Sequence, residues 1–137
     1  MWLITQGASG YQYPTCKEKE TLTNPNYLIR FIQDTGKNDR YCGITTDLSA
    51  YPERYQKFLI TETSGAIWYN GQVNLDHKQS WKVYIYEVAD ILNIVNPALV
   101  DYTALNLVQQ ERLKVLSTTT AIPRFTGYQS TYQEKQT

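Results

Sequence analysis

The sequence predicts an all-β chain folded as an antiparallel β-sandwich, and three observations predict it. Residues 27–34 and 80–88 alternate apolar and polar side chains at the two-residue period of a half-buried strand. Further short apolar runs are set apart by clusters of Asn, Asp, Gly and Pro, which break strands into turns. No recurrent helical pattern lies between these runs, which argues against alternating strands and helices and for two packed antiparallel sheets.

Residues 1–16 carry no charged side chain. We read residues 1–10 as an extended N-terminal arm, with Trp2 as a candidate interface residue, and residues 11–117 as the sandwich domain. In the strand at 27–34, Tyr27, Ile29 and Phe31 fall on one face while Arg30 and Asp34 fall on the other. A turn-rich stretch follows, and residues 40–46 make its antiparallel hairpin partner. Pro52 places a turn at 49–54, because proline suits the start of a helical turn and not a central strand. Residues 55–62 resume as a strand with Phe58 and Ile60 inward. The Asn70-Gly71 pair predicts a type I′ hairpin leading into a short strand at 72–75.

At 80–88, Trp81, Val83 and Ile85 share one face and Lys82, Tyr84 and Tyr86 the other, so neither face is fully wet. Residues 113–116 close a set of seven strands. The expected core is Ile29, Phe31, Phe58, Ile60, Val83, Ile85, Leu113 and Val115. Between these last strands, Ile91, Leu92, Val95 and Leu99 approximate helical spacing but Pro97 interrupts them, which predicts an irregular excursion with one short helix. Residues 118–137, rich in Thr, Gln and Tyr, read as a C-terminal arm with Phe125, Tyr128 and Tyr132 as candidate interface anchors. Short strands and turns in this order fit an immunoglobulin-like sandwich with extended arms at both ends.

Thirteen basic residues balance thirteen acidic ones, so no overall field draws the chain to nucleic acid or to an anionic membrane. The run at 17–20 alternates in sign and reads as a solvated face. Nothing approaches the ~18 apolar residues of a membrane span, and residues 1–4 lack the pattern of a secretory signal. Cys16 and Cys42 show no Cys-x-x-Cys spacing and read as free thilos of a protein that folds in a reducing compartment.

Chemistry is sparse. The single histidine, His77, lies in a polar connection and accompanies no recognisable nucleophile motif. Asp47, Glu53, Glu62, Asp76, Glu87, Asp90 and Asp101 read as scattered surface acids and not as a glycosidase pair. No phosphate-cradling glycine loop or calcium loop is present. We therefore expect no enzyme, with no catalytic, cofactor or metal residues, and take binding as the default. Twelve tyrosines and three tryptophans favour contacts with other proteins, since their rings are amphipathic and lose little entropy on ordering. A carbohydrate-binding module, with Trp68, Tyr69 and Tyr102 as its platform, is the alternative.

Several segments carry a resemblance. They are 21–31, then Tyr41-Cys42 with 47–58, then 71–75, 81–87, Leu107-Val108 and 113–116. Over about residues 20–117 the sequence resembles small structural proteins of tailed phages of Bacteroidota, crAss-like phages among them. The resemblance implies a virion component, an auxiliary capsid protein or a ring subunit of neck or tail, assembled in the host cytoplasm. Its partners would be other virion proteins and copies of itself. The chain departs from that pattern in two places. The approach to the aromatic strand at 76–80 contains no glycine, and the 89–107 excursion is richer in apolar residues, as an acquired contact surface would be.

Overall fold

Alternation along the strand at 27–34 decides the architecture. In the computed structural model, which describes residues 1–23, 25–35, 39–75 and 80–117, β3 (Asn26–Gln33) is a central strand buried on both faces. Tyr27, Ile29 and Phe31 point to a core between two sheets, while Leu28 points the other way into a smaller apolar cluster. The remaining strands are β1 (Trp2–Thr5), β2 (Ser9–Gln12), β4 (Asp39–Ile44), β5 (Phe58–Glu62), β6 (Gln72–Val73), β7 (Ser80–Val88) and β8 (Asn106–Leu116). The chain is all-β. A curled five-stranded sheet runs β1-β8-β7-β3-β4 and a three-stranded sheet runs β2-β5-β6.

Every residue expected in the core is buried there: Ile29, Phe31, Phe58, Ile60, Val83, Ile85, Leu113 and Val115. The hairpin of β3 with β4 and the full span of β7 follow the expectation, with Phe31 opposite Val83 and Ile29 opposite both Ile85 and Cys42. The register of β7 with β8 shifts between Ile85 and Tyr86, where Val108 is the extra residue of a bulge.

Four expectations are corrected. The first is the N-terminal arm at 1–10. Trp2 and Ile4 alternate inward as part of the main core, and β1 pairs in parallel with the far end of β8, Trp2 beside Leu113 and Ile4 beside Val115. Trp2 is thus a core residue and not an exposed interface anchor. Period-2 burial resumes at Gln12, Pro14 and Cys16, so the uncharged stretch lines the protein interior. Phe125, Tyr128 and Tyr132, with the whole C-terminal arm, lie outside the described residues.

The second correction concerns pairing. Eight strands occur among the described residues, and β1 with β8 and β5 with β6 are parallel, so the architecture is mixed and not purely antiparallel. The third is the Asn70-Gly71 hairpin. Residues Trp68–Asn70 form a 3₁₀ turn that Gly71 ends in the left-handed conformation, φ 73°, a glycine cap and not a strand reversal. Gly71 then donates its N–H to the Gly43 carbonyl at 3.0 Å, while its own carbonyl accepts from Thr61 N. These bonds carry β6 in parallel alongside β5 and join the two sheets at one margin. At the other margin the turn through Gly7, φ 75°, leads β1 into β2, and Gln12 Nε2 donates to the Leu3 carbonyl at 3.0 Å. The fourth is the excursion, which contains three single 3₁₀ turns and no longer helix.

Cys16 and Cys42 are both buried free thiols. Burial, with Glu20 next in weight, pushes the Cys16 thiol up to about 12, and burial alone raises that of Cys42. Neither should be alkylated by iodoacetamide at neutral pH while the chain is folded, and both should be after unfolding in urea. Mass spectrometry of the two reactions checks this. Rapid labelling of Cys16 in the native protein would show that the turn at Lys17–Lys19 opens readily.

Candidate interaction surfaces

On the outer side of the five-stranded sheet, Gly43, Leu28 and Tyr86 stand side by side across β4, β3 and β7. The chain covers this row with its own excursion. Ile91 is fully buried against Leu28 and Val88, with Trp68, Ile94, Val100, Tyr102 and Leu105 around it. A side chain at position 43 would meet Ile91 at 2.7 Å and Trp68 at 3.3 Å, which explains the glycine in the middle of β4. Three Asx residues start the three turns. Asp90, Asn96 and Asp101 each accept the backbone N–H two residues ahead, at 3.0, 3.0 and 3.1 Å.

Two further ties hold the excursion down. Asn26 Oδ1 accepts from Ile91 N at 2.8 Å, and the Tyr102 hydroxyl donates to the Pro97 carbonyl at 2.7 Å. The Tyr102 ring stacks on Tyr41 at 6.1 Å and meets Tyr86 at 5.0 Å. The Arg30 guanidinium lies 4.9 Å from the Tyr102 centroid and is fixed by Asp39 at 2.7 Å. With its inner side so anchored, the excursion turns Leu92, Val95 and Leu99 outward, at 70%, 96% and 82% exposure. Large aliphatic side chains this exposed on an anchored loop form a candidate contact surface.

The outer side of the three-stranded sheet carries a second such surface. Tyr11 and Tyr13 project outward from β2 and its extension, and Tyr11 stands opposite Leu59 of β5. Lys57 lays its ammonium over the Tyr11 ring at 4.4 Å, and Tyr13 meets Tyr55 edge-on at 6.0 Å. Beside them, at the margin where the two sheets join, Gly43, Ile44, Leu48, Leu59 and Gly71, with the polar Thr45, Thr46 and Asn70, line a groove of about 310 Å³. Enrichment in tyrosine predicts contact surfaces from composition alone. That Tyr11, Tyr13, Tyr55 and Leu59 stand together on one face emerges only from the β2–β5 register.

Several of the acidic residues have structural partners. Glu62, buried, accepts from Gly7 N at 2.7 Å and Leu75 N at 3.0 Å and so ties the β1–β2 turn to the smaller sheet. Glu87, also buried, accepts from Thr21 N, Leu22 N and the Thr21 hydroxyl at 2.8–3.0 Å, and from the Asn106 amide. Asp47 accepts from Ser49 N and Lys57 N. It lines a polar cavity of about 420 Å³ with Glu20, Glu53 and Gln56, where Glu20 accepts from the Tyr27 hydroxyl. Asp76 and His77 lie outside the described residues.

Burial alone would raise the Glu87 pKa, but the hydrogen bonds from Asn106, Thr21 and Leu22 outweigh it and hold the carboxyl below its ordinary value. A depressed folded pKa contributes stability above the ordinary carboxylate range of about 4.3 and loses it as pH falls through the folded value. Glu87→Gln should therefore flatten the acid limb of the stability profile and lower stability near pH 7 by about 1–3 kcal/mol. Urea unfolding at pH 7, 5, 4 and 3 checks this. Parallel profiles for the two proteins would sink it.

The proposed sugar platform is only partly assembled. Trp68 and Tyr69 stack at 5.8 Å, but Tyr102 is engaged with Tyr41 and Tyr86. A separate groove of about 330 Å³ runs between Trp68 and Tyr41, with Asp39, Asn74 and Asn96 on its walls. Among the described residues no helix is long and apolar enough to cross a membrane, and no group of three or more His, Cys, Asp or Glu side chains is placed to hold a metal ion. No family model, curated protein or solved structure matches the chain.

Proposed function

We propose that this chain is a structural subunit of a tailed-phage virion, an auxiliary capsid protein or a neck or tail ring component, held in place by protein–protein contacts. The observation that carries the reading is the anchored loop presenting Leu92, Val95 and Leu99 to solvent. Exposed aliphatic residues are a liability in a free protein and an asset in one held by neighbours. The tyrosine face on the opposite sheet and the segments that resemble phage structural proteins support the same reading. An immunoglobulin-like sandwich is the finer form of the fold in this proposal. Two sheets over one core favour it, and the two parallel pairings are departures from it.

Mass spectrometry of gradient-purified virions should find the chain in amounts comparable to other multicopy components. Its absence from such particles would refute the proposal. The groove between Trp68 and Tyr41 supports a second reading, carbohydrate binding, because ring faces flanked by Asn and Asp side chains suit sugar hydroxyls. Titration with oligosaccharides while following Trp fluorescence tests it, with Trp68→Ala as the variant that should abolish any response.

A further inference from the structure

The two exposed apolar surfaces stand on different sheets, one on the excursion that covers the outer side of the five-stranded sheet and one on β2 and β5 of the three-stranded sheet. They differ in shape. On the excursion Leu92, Val95 and Leu99 project, whereas the other surface borders the groove beside Leu48 and Leu59. Their charges differ as well. The aliphatic stretch contains no charged residue from 91 to 100 and is bracketed by Asp90 and Asp101, both exposed. The other surface carries Lys57, over Tyr11. Among the described residues none of these three charges belongs to an ion pair.

We propose that the chain associates with itself head to tail, the 91–100 excursion of one copy seating on the Tyr11, Leu48, Lys57 and Leu59 surface of the next. The proposal rests on reading the chain as an assembly subunit and names its partner as a second copy. Leu92, Val95 and Leu99 enter the groove beside Leu48 and Leu59 while Asp90 and Asp101 approach Lys57, which matches shape and charge at one contact. Because the two surfaces are different, the contact is heterologous. Repetition of one such contact generates a ring if the rotation closes and a filament if it does not. Contact between two like surfaces would instead stop at a dimer.

The test uses the full chain and two variants, Val95→Asp and Leu59→Asp, each spoiling one surface at an exposed position. Analytical ultracentrifugation should show wild type above monomer mass, rising with concentration, and each variant alone as monomer. An equimolar mixture should give a 1:1 complex and nothing larger, because only one sound pair of surfaces remains. Lys57→Glu should weaken wild-type association by about tenfold or more. Wild type that stays monomeric to about 100 μM overturns the proposal, as does self-association of either single variant or a mixture that remains monomeric. Circular dichroism melts verify that each variant folds, and Leu99→Asp or Tyr11→Asp replaces one that does not. A monomeric chain found in purified virions would overturn self-association alone. A self-associating chain absent from virions would overturn only the virion reading.

Discussion

Deleting residues 1–8 should leave a chain that no longer unfolds cooperatively. The deletion removes Trp2 and Ile4, at 5% and 2% exposure, from the main core. Burying a large apolar side chain contributes about 1.5–3 kcal/mol each, and the opened core adds a cavity cost. It also removes the strand that pairs with the end of β8 from Trp2–Leu113 to Thr5–Leu116, together with the bond from Gln6 N to the Leu116 carbonyl. The Glu62 carboxylate, at 3% exposure for the residue, loses the Gly7 N–H, and a buried carboxylate deprived of a donor is costly. Against a total stability of about 5–15 kcal/mol, the sum is enough to abolish the native state. Thermal melts followed by near-UV circular dichroism check this. A truncated chain that melts cooperatively close to the full-length temperature would show that β1 is dispensable and restore its reading as an arm.

The strands visible in the sequence were those whose own alternation decides their burial. β3 and β7 are long and carry Tyr27, Ile29, Phe31, Trp81, Val83 and Ile85 at strict period 2, so their inward faces follow from local pattern alone. β1 is four residues long and is stabilised by a parallel partner more than a hundred positions away, a non-local pairing that no local window contains. Asn70-Gly71 shows the same limit from the other side. The glycine does take the left-handed conformation that the pair favours, but tertiary bonds to Gly43 and Thr61 convert it from a hairpin into a cap. In the excursion, near-helical spacing of Ile91, Leu92, Val95 and Leu99 suggested one apolar face, yet three Asx-started turns rotate Ile91 inward and the other three outward. Its richness in apolar residues was the one feature of the sequence that set this segment apart.

Truncating Phe31 to alanine should be the most damaging single substitution considered, at about 3–5 kcal/mol. Phe31 lies on the central strand β3, between Val83 of β7 and Arg40 of β4, and is fully buried in the main core. Its ring therefore has packed sheet on both flanks and the smaller sheet in front of it. Backbone hydrogen bonds on both sides of β3 limit how far the strand can move, so the space vacated by the ring cannot readily collapse, and both the transfer and cavity costs apply. Phe31→Leu keeps most of the volume and should cost less than about half as much. Val95→Ala, at 96% exposure, should change stability by no more than about 0.5 kcal/mol. Urea titrations of the three variants beside wild type, with the slope unchanged and only the midpoint displaced, would express these as free energies. A Phe31→Ala cost below about 1 kcal/mol would mean that the two sheets do not close over a shared core at this strand.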